Sequence, residues 1–179
     1  MKVDLDQYTT PANAPGTLKA RREALLHQLG WLADEAEALG PLLDGLPAWA
    51  LEQTALPEER SVKETLARLT TLDRAVYPRW IEQVVAEEQP TLAPAEAAPD
   101  SDVNTQDVGG LLQGLRSARS AFIAVIETVP GADWSRTAQL DGKTVTLYDL
   151  ALRVVRHDAE ELRTLAYRLY EAKLADSAS

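Results

Sequence analysis

The chain has 179 residues, 45% of them hydrophobic, which is enough apolar mass for one domain with a real core. Eighteen Lys and Arg against 28 Asp and Glu leave a net charge of −10, a field that repels phosphate backbones and anionic lipid, so neither a nucleic-acid nor a membrane partner is expected. The absence of cysteine excludes disulfides, thiolate metal sites and a Cys nucleophile; with no run of about 18 apolar residues and no apolar h-region in MKVDLDQYTTPANAPG, a cytoplasmic location is expected.

Residues 1–16 are rich in Pro, Thr, Asn and Asp and read as an extended arm. Helical periodicity starts at Thr17: Leu25, Leu29, Leu32, Ala36, Leu39, Leu43 and Leu46 alternate spacings of four and three, one apolar stripe on a helix. Gly40-Pro41 interrupts it and predicts a break followed by a short helical piece. Ser61-Val62-Lys63-Glu64 fits a capping box at the start of a second helix, on which Val62, Leu66, Leu69, Val76, Trp80 and Val84 share a face. Pro78 predicts a bend in that helix. The segment EEQPTLAPAEAAPDSDVNTQ has no periodicity and reads as a long linker. A third helix is expected from about Thr105 to Val129, with Val108, Leu111, Leu115, Ala118, Phe122, Val125 and Val129 on one face and Pro130-Gly131 as its stop. TAQLDGKTVT offers two short alternating runs around Asp141-Gly142, a hairpin signal. The fourth helix starts near Thr146, a candidate cap, and runs to about Leu174, leaving residues 175–179 as a flexible tail. Residues 17–174 therefore read as a single all-α domain, a four-helix bundle whose long connections make crossover topology the expectation.

Most charged residues belong to solvated faces, as in ADEAEAL of the first helix, and His27 has no partner at a ligand spacing. Trp31, Trp49, Trp80 and Trp134 read as core and loop anchors. Three core-face groups stand apart. His157 and Glu161 lie one turn apart in line with Leu150, Val154 and Leu165, and side chains at that spacing project together. Such a pair holds a divalent metal or is a buried His satisfied by a carboxylate; the spacing leaves both open. Asp73 lies between Leu69 and Val76 on an apolar face, where a carboxylate needs a cation. Arg119, beside Ala118 on the third helix, is the candidate partner in a structural ion pair.

These pieces, in their order, resemble the DinB/YfiT-like superfamily of four-helix bundles. SVKETLARL resembles the family's start of helix two, Ser-Val-x-Glu-x-Leu-x-His-Leu, and VVAEEQPTLAP the segment closing that helix. RSARSAFIAVIETVPGADWSRTA resembles helix three and its exit, and DGKTVTLYDLALRVVRHDAEELRTL the turn and helix four. The resemblance spans residues 16–169. It implies a divalent metal held by three histidines, one on helix two and two in a His-x-x-x-His pair on helix four. The matching positions here are Arg68, His157 and Glu161, so only His157 is kept. A guanidinium offers donors only and cannot ligate, so no resident metal is expected. Instead Arg68 and Glu161 are expected to form an ion pair in the space of the metal, with His157 beside them. Zinc or nickel at His157 and Glu161 is the alternative; Asp158 and Glu160 have oxygen ligands, but their helical phase turns them away from the His157 direction.

Three functional readings follow: a bundle with a degenerate metal site that binds a small-molecule ligand or partner in the remnant cleft, a metal-dependent thiol S-transferase or hydrolase, or a structural homodimer without catalysis. A homodimer is implied by the family in any case. No phosphate loop, nucleophile elbow or Ser with a nearby second His is present, so no catalytic residue is assigned.

Overall fold

The first long helix, α1 (Pro15–Ala38), forms on the predicted stripe, with Leu25, Leu29, Leu32 and Ala36 buried. This is a computed structural model, and it describes residues 15–54, 59–97 and 102–177; residues 1–14 of the expected arm lie outside them. At Gly40-Pro41 the chain breaks into the short α2 (Gly40–Leu43), followed by α3 (Ala48–Glu52). The second long helix begins with the capping box. The Glu64 N–H donates to Ser61 Oγ at 3.1 Å, and the Ser61 N–H donates to Glu64 Oε2 at 2.7 Å.

That helix is α4 (Val62–Thr71), a single π-helical stretch (Leu72–Val76) and α5 (Tyr77–Ala86), running without interruption. Pro78 has no N–H to give the preceding turn, and the wider π-turn ahead of it accommodates that loss. Within and just after this turn Leu72, Asp73 and Tyr77 are buried and Val76 is only half-buried, while Trp80 and Val84 of the expected face are buried. The expected face is corrected at Val76 alone, where Tyr77 takes the buried place.

The segment expected to be an aperiodic linker is pinned at its start. Leu92 is buried, the Trp80 indole donates to the Ala93 carbonyl at 2.9 Å, and Thr91 makes a parallel bridge to Gln139. α6 (Val108–Glu127) is capped by Asp107, whose carboxylate accepts from the Gly110 N–H, so it starts three residues later than expected. β1 (Thr137–Leu140) and β2 (Lys143–Thr146) form an antiparallel hairpin in the register Thr137–Thr146 to Leu140–Lys143. Its turn residues Asp141 and Gly142 both have left-handed backbone, φ 53° and 72°, as a tight hairpin turn demands. Thr146 then caps α7 (Leu147–Ser177): its Oγ1 accepts from the Asp149 N–H at 3.1 Å.

α1 packs mainly on α6 and α7, and α4 on α6 and α7 as well. The first two long helices are therefore diagonal rather than neighbouring, which is the crossover topology of this four-helix bundle. The core fills from all four, with Leu29, Leu66, Leu72, Phe122, Ile126, Leu150 and Leu169 sealed from solvent. Of the four tryptophans only Trp80 and Trp134 are core anchors. Trp31 and Trp49 are 63% and 49% exposed, because each lies off the buried stripe of its helix. No helix among the described residues is long and apolar enough to cross a membrane.

Candidate functional site

The polar groups of the core meet where α4 and its π-turn face α6 and α7. Arg68, in the last turn of α4, reaches across to α7. Its Nη1 stands 2.9 Å from His157 Nε2 and 3.2 Å from Glu161 Oε1. Glu161 Oε1 is also 3.4 Å from His157 Nε2, so the three side chains share one corner. The corner is half-open: side-chain exposures are 16% for Arg68, 29% for His157 and 26% for Glu161.

Behind it lies a sealed layer. Arg119 Nε donates to Asp73 Oδ2 at 2.8 Å, and its Nη2 pairs with Asp158 Oδ2. Asp158 Oδ1 in turn sits 3.0 Å from His157 Nδ1, with the Tyr77 hydroxyl 3.3 Å from the same nitrogen. The chain of contacts thus runs Asp73–Arg119–Asp158–His157–Arg68–Glu161. Asp73 and Tyr77 both enter this layer because the π-turn holds them on one side.

Asp158 corrects the sequence reading. Its side chain is fully buried and touches His157, rather than turning away from it. The inward line of α7 is Ala151, Val155, Asp158, Leu162, Leu165 and Leu169, spaced four-three-four-three-four, and Asp158 stands in its middle. His157 and Glu161 flank that line. Leu150, Val154 and Leu165 of the expected stripe are buried as well, so the inward face of α7 is wide enough to hold Asp158 beside that stripe. Glu160 is exposed, away from the site.

The charges are mutually dependent. His157 is pushed up to about 9, first by its hydrogen bond to Asp158, then by Glu161, against the cost of burial. Yet Nε2 cannot serve both neighbours at once: Arg68 only donates and needs a bare nitrogen, whereas ionised Glu161 only accepts and needs Nε2–H. The neutral ring, the form above about pH 9, accepts from Arg68 across the 2.9 Å contact with its proton on Nδ1 toward Asp158. The protonated ring, the form below about pH 9, gives its Nε2–H to Glu161, 3.4 Å away, whose carboxyl is held below the usual range chiefly by His157. Deeper in, Arg119 is held more firmly in its charged form by Asp158 and Asp73, while burial pushes Asp73 up to about 7. The two directions are compatible because one guanidinium is shared between two carboxylates, and Asp73 is the one farther from His157. Burial likewise pushes the Tyr77 phenol up, keeping it neutral.

As a metal site this corner fails on donor chemistry. It offers one imidazole, one carboxylate and a guanidinium that has no electron pair to give and already occupies the space between them. Among the described residues no group of three His, Cys, Asp or Glu side chains is placed to hold a metal ion. Glu161 also lines an open cleft of about 230 Å³ between the start of α4 and the middle of α7, with Glu59, Arg60, Thr65, Thr164, Leu165 and Arg168.

A model of the DinB superfamily matches residues 28–165. A solved structure of YfiT from Bacillus subtilis, described as a probable metal-dependent hydrolase with an unusual four-helix bundle topology, superposes with a TM-score of 0.64. The identity is 18%, and the match covers 84% of this chain and 89% of that one, a likeness of fold. No curated protein matches the chain.

Proposed function

This chain belongs to the DinB superfamily, and we propose that it is a metal-free member that binds a small ligand in the cleft between its second and last long helices. The observation that carries the reading is the Arg68 guanidinium between His157 and Glu161, at 2.9 and 3.2 Å. A fixed cation there takes the electrostatic place of a metal, and the buried Asp73–Arg119–Asp158 layer holds the corner rigid from behind. Metal-dependent hydrolysis, the probable activity of YfiT, and metal-activated thiol transfer would both need a bound metal, and Arg68 has no electron pair to give one. The test is elemental analysis of purified protein after incubation with zinc, nickel and manganese and exhaustive dialysis. Substoichiometric metal throughout is expected; one equivalent retained, and lost on His157→Ala, would overturn the reading.

A homodimer is a second, compatible proposal. Trp31, Trp49, Tyr167 and Tyr170 are large aromatics left 63%, 49%, 66% and 58% exposed, the residue types that interfaces favour. Sedimentation equilibrium giving a monomer at all concentrations would remove it.

A further inference from the structure

The cleft beside Glu161 has a charge pattern opposite to that of the molecule. The chain carries −10 overall, yet Arg60 and Arg168 stand on the cleft wall and Arg68 behind Glu161, against Glu59 and Glu161. One positive charge is left in excess, more when His157 is protonated.

The donors are also underused. Among the described residues Arg68 donates through Nη1 alone, leaving Nε and Nη2, and the exposed Arg60 guanidinium makes no hydrogen bond, although its charge is felt by Glu161. Arg168 is held by Glu59 at 2.7 Å and by the Arg60 carbonyl, which fixes the wall on which Arg60 is mounted.

The remaining polar groups are acceptors. Thr65 and Thr164 spend their hydroxyl protons on the carbonyls of Ser61 and Glu160, and ionised Glu161 has no proton to give. The cleft therefore asks for a negative group at the arginine side and a donor at the Glu161 side. Guanidinium groups meet planar oxyanions bidentately, and a single excess positive charge suits a monoanion better than a phosphate dianion facing two glutamates. The volume of about 230 Å³ lies below that of clefts for drug-sized molecules, about 300–1,000 Å³.

We propose that this cleft takes a small carboxylate that carries a hydroxyl or amino group a few bonds from its carboxyl group. This rests on the cleft being the ligand site of the metal-free reading, and it adds the chemistry of the ligand.

The full chain, labelled with ¹⁵N, is titrated at constant ionic strength with L-lactate, propionate, lactamide and inorganic phosphate, following the amides of Thr65, Glu161 and Thr164. Lactate is expected to bind about tenfold more tightly than lactamide, which lacks the charge, and several-fold more tightly than propionate, which lacks the donor. Arg60→Gln, a change at an exposed side chain, is expected to weaken lactate about fivefold at unchanged melting temperature. Lactamide binding as well as lactate, phosphate binding more tightly than lactate, or an unaltered Arg60→Gln affinity would each overturn the proposal. So would silence from all four probes at about 10 mM. None of these outcomes alters the metal content, so the metal-free reading is judged separately.

Discussion

Replacing Arg119 by methionine should be among the most damaging single changes in the bundle. The Arg119 side chain is 3% exposed, and its two partners, Asp73 and Asp158, are 0% exposed. Methionine fills much of the volume but removes the cation that touches both carboxylates, leaving Asp158 with His157 and Asp73 without its ion pair. Removing one partner of a buried pair costs on the order of 3–5 kcal/mol, a large part of a typical total stability of about 5–15 kcal/mol. For a chain of this length that is a melting temperature lower by about 6–20 °C. Urea unfolding followed by circular dichroism at pH 7 measures it, with the slope unchanged if the native state stays compact. The loss should shrink toward pH 5, as Asp73, whose carboxyl burial already pushes up to about 7, takes up its proton. The triple variant Asp73→Asn, Arg119→Met, Asp158→Asn removes all three charges together and should recover most of the stability, because the penalty lies in unpaired charge rather than in a lost contact. A single Arg119→Met within about 1 kcal/mol of the parent would refute the account of a sealed, charge-coupled layer.

The outer corner should behave more mildly. Arg68→Ala is expected to cost about 1–2 kcal/mol by urea unfolding, less than a sealed pair, because exposures of 16% and 26% let solvent screen it. The chain has two histidines, so NMR titration resolves His157 directly, and its midpoint should lie near 9; a midpoint below 6.5 would mean that Arg68 outweighs Asp158 and Glu161. Since that folded value is raised above the ordinary 6.5, His157 contributes stability that is full below 6.5 and lost as pH rises through about 9. His157→Gln should flatten the melting temperature across that window, and an unchanged pH profile would contradict the linkage. At the hairpin, Gly142 has φ 72°, so Gly142→Ala should cost about 1 kcal/mol, a fall of about 2–4 °C in melting temperature.

The bundle was legible in the chain because its determinants are local. The four-three spacing from Leu25 to Leu43, the Ser61–Glu64 box, the Thr146 cap and Asp141-Gly142 each act within a few residues, and each forms where the pattern puts it. Asp73 could be singled out for the same reason: a carboxylate in the phase of an apolar face has few ways to exist. Arg68, His157 and Glu161 could be brought together on paper only through a family resemblance, since no local rule links α4 to α7. What tertiary structure decided is everything that depends on which neighbour a helix meets. The π-turn before Pro78 puts Asp73 and Tyr77 in the core and leaves Val76 half-buried. Asp158 lies at the centre of the α7 stripe because α4, α5 and α1 set where that centre falls, not the helix alone. The excess positive charge of the cleft comes from Arg60 and Arg68 at α4 and Arg168 on α7, about a hundred residues away in a chain of net charge −10, and only folding sums them at one place. Periodicity is a property of a segment, whereas a site is a sum over segments.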